Sequence, residues 1–226
     1  MERLNIFNQI HKGLRAMLYN TALTIQQTDF SIEEEGKATL RKLRIVLDLY
    51  SQHGDHEDNK VFPKVLHASA GTVAALEAEH DKDEQLINDL LLDIRRYKNA
   101  NGKADRVAIG YSIHLSFQEF VAFNLQHMCK EEKLINPLLW QHYTDDEIGQ
   151  IQHEIVSSIS PEDNAQYARW MLLGSNDAEI RSWLEKVRAT APRPVWDGLY
   201  QLATDELGAE RVSGIMSHEV TRSVIY

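Results

Sequence analysis

Two stretches of the chain carry the same set of chemically capable side chains at the same spacing. His53 is followed four residues on by Glu57, then at once by Asp58, with Pro63 ten residues beyond the histidine. His127, Glu131, Glu132 and Pro137 repeat that pattern. A helix turns about 100° per residue, so a four-residue step stacks histidine and glutamate on one face. A neutral imidazole and a carboxylate placed that way can grip one metal ion. A second such helix facing the first can supply the other half of a two-metal site.

The elements that must hold these pairs can be read from apolar periodicity. Leu4, Phe7, His11, Leu14 and Leu18 recur at three- and four-residue steps and predict a first helix over about 4–27, with His11 on its inward stripe. Ser31 and Glu34 form a capping-box signature for a second helix, whose stripe is Leu43, Val46, Tyr50, His53 and Glu57. Gly54 and Pro63 predict a bend near its end. A third helix is expected from Thr72 to about Asn99, with Val73, Leu76, His80, Ile87 and Ile94 inward. Beyond the Asn99–Gly102 turn, a fourth helix carries Ile109, Ile113, Ser116, Phe120, Phe123, His127, Glu131, Leu134 and Leu138. Four helices thus each bring a histidine to a core position: His11, His53, His80 and His127. One inward histidine is an ordinary core residue. Four together favour a metal site.

At these residues the sequence resembles the hemerythrin-like family, the HHE cation-binding domain, over about residues 4–143. Single histidines lie on helices one and three, and a His-x-x-x-Glu pair lies on helices two and four, with the trailing acid and proline. The resemblance implies an all-α, up-down four-helix bundle holding a non-haem di-iron centre. His11, His53, His80 and His127 would be its nitrogen ligands, with Glu57 and Glu131 bridging. Oxygen-carrying hemerythrins have a fifth histidine, in a His-x-x-x-His on the third helix, and an aspartate on the fourth. Here Leu76 and Glu84 flank His80 at four-residue steps, and the fourth helix offers Glu131. That shifts the expectation toward carboxylate-richer relatives that handle iron, nitric oxide or peroxide.

Imidazoles with shared carboxylates suit two iron ions; zinc fits by affinity and manganese by ligand type. The implied partner is a small diatomic molecule or peroxide, and whether turnover occurs is left open. The alternative is a helical interaction module with a zinc-filled or empty site. Tyr50 is read as packing, His56 as a solvated residue off the ligand face, and Glu84 as part of a solvated charged flank. His67, His114, His142, His153 and His218 have no motif context.

Residues 144–226 read as a separate extension of short helices, packing on the 1–143 bundle or on a partner, which could be a second copy of the chain. Thr144 with Glu147, Ser160 with Pro161, and Asn176 each announce a helix start. Gly174 and Gly208 read as stops, and Trp170, Trp183 and Trp196 as core. A net charge of −10 over 226 residues, with no basic stripe, argues against nucleic acid or an anionic membrane as partner. No run reaches the roughly 18 uncharged apolar residues of a membrane span. The single cysteine, Cys129, can form no internal disulfide. With no apolar leader at Met1, the expected location is the cytoplasm.

Overall fold

The computed structural model describes residues 3–217. The bundle is made by α1 (Asn8–Gln27), α2 (Glu33–His56), α4 (Ala70–Lys98) and α5 (Lys103–His142). Each packs against the next, and α5 closes back onto α1, giving the neighbour order of an up-down bundle. The two tight loops, 28–32 and 99–102, meet at one end. There the Tyr97 hydroxyl donates to the Phe30 carbonyl, and Gly110 leaves room for the Phe30 ring that a Cβ would overlap.

The bend expected after Glu57 takes a definite form. Glu57–Val61 is a π-helical turn that runs into the short α3 (Phe62–Val65), with Pro63 in its first turn. The Phe62 N–H reaches back to the Glu57 carbonyl, so the wider turn begins at Glu57 itself. Such insertions often accompany functional positions.

Local expectations fail in three places. The Ser31–Glu34 capping box is not formed: Ser31 N–H is taken by Asp29, and Glu35 accepts from Asp29 N–H, so α2 starts after Ile32 without a side-chain cap. On α5, Phe117, Asn124, Ile135 and Leu139 are buried while Leu134 is exposed, because a 40-residue helix drifts relative to a strict three-four repeat. Beyond Gly208, which takes φ +86°, one more helix follows, α10 (Ala209–Ser217).

The remaining helices are α6 (Asp145–Val156), α7 (Pro161–Gly174), α8 (Asp177–Thr190) and α9 (Arg193–Leu207). Thr144 and Asn176 complete reciprocal capping boxes with Glu147 and Glu179, and Ser160 caps α7. Helix α7 lies along α1. A Cβ on Gly13 would come within 2.8 Å of the Met171 backbone nitrogen, and one on Gly174 would strike the Lys12 carbonyl. Tyr167 of α7 is buried in the bundle core and its hydroxyl donates to the Leu49 carbonyl. Leu172, Ile180, Leu184, Ala203, Val212 and Ile215 form a separate core among α7–α10, with Trp183 and Trp196 packed on it. His218 lies outside the described residues. Among the described residues, no helix is long and apolar enough to cross a membrane.

Candidate metal centre

The bundle interior holds two apolar clusters. One gathers Leu14, Leu43, Tyr50, Phe117 and Phe120, the other Phe7, Phe62, Leu76, Ile135 and Leu139. Polar side chains lie on the same helices between them: His11 on α1, His53 on α2, Glu57 on the π turn, His80 on α4, and His127 and Glu131 on α5. All six residues singled out from the sequence come together there. His11 and Glu131 are fully buried, Glu57 and His127 nearly so.

The two carboxylates face both ways. Glu57 places Oε1 at 3.5 Å from His11 Nε2 and 3.2 Å from His53 Nε2, while its Oε2 is 3.5 Å from His80 Nε2. Glu131 places Oε2 at 3.5 Å from His11 Nε2, while its Oε1 is 3.2 Å from His127 Nε2 and 3.8 Å from His80 Nε2. Each glutamate therefore presents one oxygen to each histidine pair. Two donor groups result, one of His11, His53 and Glu57, the other of Glu57, His80, His127 and Glu131.

Hydrogen bonding leaves this arrangement incomplete. Both oxygens of Glu57, both of Glu131, and Nε2 of His11 and His53 are buried without a hydrogen-bond partner. Leaving such groups unpaired costs about 1–3 kcal/mol each, more for charged ones. Six of them converging on one place is the signature of a cation site, because a cation satisfies acceptors that no donor reaches. His80 Nε2 and His127 Nε2 lie 2.9 Å apart. That suits adjacent ligands on one ion, whose bonds to nitrogen are about 2.1 Å.

The far nitrogens of three rings are held by carboxylates. Asp58 lies 2.7 Å from His80 Nδ1, Glu132 3.0 Å from His11 Nδ1, and Glu79 2.9 Å from His127 Nδ1. Asp58 and Glu132 are the acids that trail each His-x-x-x-Glu pair, so each motif supplies a bridging candidate and the orienting partner of a histidine on another helix. In the sequence these two acids are visible only as the residues trailing each pair, and Glu79 carries no signal beyond its place next to His80. Rings stack as well: Phe7 on His11, Phe62 on His80, Phe123 on His127.

Charge follows from this crowding. Burial opposes a proton on His11 and His80, but Glu132 and Glu57 around the first, and Asp58 and Glu57 around the second, outweigh it. The rings are raised to about 9 and about 10. Burial likewise opposes ionisation of Glu57, yet His53, His11 and His80 hold it well below the usual carboxylate range.

Glu84 is exposed, and Asp83 is the member of its charged run that turns inward, where it accepts from the Asn124 amide. His56 is half-buried outside the cluster. Tyr50 is buried edge-on to Phe120 with its hydroxyl unpartnered.

The family model for the hemerythrin HHE cation binding domain matches residues 2–139. F-box/LRR-repeat protein 5 of Mus musculus is 21% identical over 181 residues, covering 80% of this chain and 25% of that protein. The Bos taurus protein of that name is 22% identical over the same shares, and the Xenopus laevis one 20% identical over 81% of this chain and 26% of its own length. These alignments are longer than the bundle and so reach into the C-terminal helices. The chain spans about a quarter of the length of these relatives. No solved structure matches.

Proposed function

We propose that this chain, which belongs to the hemerythrin HHE cation-binding domain family, holds two iron ions between its histidine pairs and presents them to a small molecule such as oxygen, nitric oxide or peroxide. The observation that carries this reading is the two-sided placement of Glu57 and Glu131. A carboxylate serving one ion needs only one face. Here all four oxygens are buried, unpartnered and shared between the two pairs.

The donor types favour iron. Imidazole nitrogen with bridging carboxylate suits ferrous and ferric ions alike, whereas a closed structural zinc site usually takes four ligands on a single ion. Iron held there supplies redox chemistry and a coordination position for a diatomic molecule or peroxide. The protein's part is to orient the imidazoles through Asp58, Glu79 and Glu132 and to exclude bulk water with the apolar clusters on either side. Burial of the ligand set also restricts access to small species.

Anaerobic addition of ferrous iron to metal-free protein, followed by gel filtration and elemental analysis, tests the proposal. Two iron ions per chain, unaffected by an equal concentration of manganese, support it. No bound iron, or a single zinc ion bound in place of iron when both are offered, contradicts it.

A further inference from the structure

We infer that the two metal positions are built unequally, the His80–His127 position being the tight one that fills first and the His11–His53 position the exchangeable one. This rests on the two-metal reading above and adds an order to it.

Both positions share the two glutamates, since Glu57 and Glu131 each approach His11 Nε2 to 3.5 Å as well as the other pair. Two features beyond the ligands themselves separate the positions. The first is the support behind each imidazole. On the tight side both rings are backed by carboxylates, His80 by Asp58 at 2.7 Å and His127 by Glu79 at 2.9 Å, and both are stacked on phenylalanine rings. On the other side only His11 is so held. His53 has no carboxylate on its second nitrogen among the described residues and meets His11 edge-on. A carboxylate behind a metal-binding imidazole fixes its tautomer and raises its basicity, and removing such a partner costs about 10–100-fold in metal affinity.

The second is outer charge. Glu132 behind His11 is shared with Arg15 at 2.9 Å, which neutralises it. Behind the other pair, Glu79 is shared with Lys130, but Asp58 has no cationic partner other than His80 among the described residues. Of the three carboxylates that back the rings, Asp58 alone keeps its charge uncompensated by Lys or Arg among the described residues, and it lies on the His80–His127 side, which favours a divalent ion there. On α1 the residue directly before His11, the place that Glu79 takes before His80 on α4, is Ile10. The two positions are thus alike in their ligands and unlike in their support. Asp58 and Glu79 are positioning residues for one ion, Glu132 for the other.

The test is a ferrous titration of the metal-free full chain against a competing chromophoric chelator, without oxygen. Two steps whose dissociation constants differ by at least about tenfold are expected. Glu79→Gln and Asp58→Asn should each weaken the tight step about 10–100-fold and leave the weak step in place; Glu132→Gln should weaken the weak step alone. Glu79 and Asp58 are partly exposed, so the isosteric amides leave the core intact, and the wild-type titration decides the matter without any variant. Two ions bound with equal affinity, or in one concerted step, overturn the inference while leaving the di-iron proposal standing. So does Glu79→Gln acting on the weak step. No iron bound at all overturns the di-iron proposal itself.

Discussion

The carboxylate of Asp58 lies 2.7 Å from Nδ1 of His80, a residue on a different helix. Glu132, at the same place in the second copy of the motif, stands 3.0 Å from Nδ1 of His11. Each copy thus offers one acid to the interior and the next to a histidine on another helix. The π turn that starts at Glu57 positions the first copy, and an uninterrupted α-helix positions the second.

A bridging carboxylate serves both ions, so its loss should be felt twice. Glu57→Ala and Glu131→Ala are expected to reduce bound iron from about two per chain to one or fewer, and His53→Ala to reduce it by about one. His56→Ala, outside the cluster, should retain both. Elemental analysis of the desalted variants measures this, and a loss at His56 equal to that at Glu57 would mean the ligand set on α2 has been misread.

Metal that binds only the folded chain stabilises it by mass action. With free iron at about 100 times the dissociation constant, the gain is about 2.7 kcal/mol. For a chain of this size that corresponds to about 5–10 °C in melting temperature. Differential scanning calorimetry with and without a membrane-impermeant chelator should show that drop. An unchanged melting curve on removing iron from loaded protein would place the metal outside the core.

In the metal-free chain the carboxylates around His11 and His80 favour their protonated forms despite burial. His11 and His80 are raised to about 9 and about 10, so their contribution to stability is fully present below pH 6.5. It is lost as pH rises through 9 to 10. Melting temperatures of the metal-free protein should fall over that window, while those of the loaded protein should not share the decline, because bound metal takes the place of the protons. Metal uptake at neutral pH should accordingly release protons, a quantity that unbuffered titration measures. A metal-free protein whose stability is flat from pH 6.5 to 10 would contradict the ion-pair geometry of the cluster.

Helix α7 is seated on the helix that carries His11. Gly13→Val puts side-chain atoms into the Met171 backbone, which both helices would have to move apart to admit. Overpacking of this kind costs about 1–3 kcal/mol. A fall of several degrees in melting temperature, with the spectrum of a helical protein retained, is the expected result. No change would show that the two helices do not cross this closely.

How much of this could be read from residues alone differs by element. The inward placement of the candidate ligands was legible because helical periodicity and the need to bury apolar stripes fix which face His11, His53, His80 and His127 occupy. The caps at Thr144, Ser160 and Asn176 were legible because their chemistry is local. What stayed hidden depends on contacts between segments far apart in sequence. Glu79 matters only because α5 brings His127 beside it, and Asp83 turns inward because Asn124 is there to receive it. The Ser31 cap failed for a local reason: Asp29 accepts the Ser31 N–H that Glu34 would have to take, so the reciprocal box does not close.

Anomalous diffraction at the iron edge from crystals of the loaded protein decides whether the bundle holds a di-iron centre. Two peaks are expected inside the bundle, one beside His11 and His53 and the other beside His80 and His127, with Glu57 and Glu131 between them. A single peak, or iron bound only at surface carboxylates, would contradict the di-iron reading.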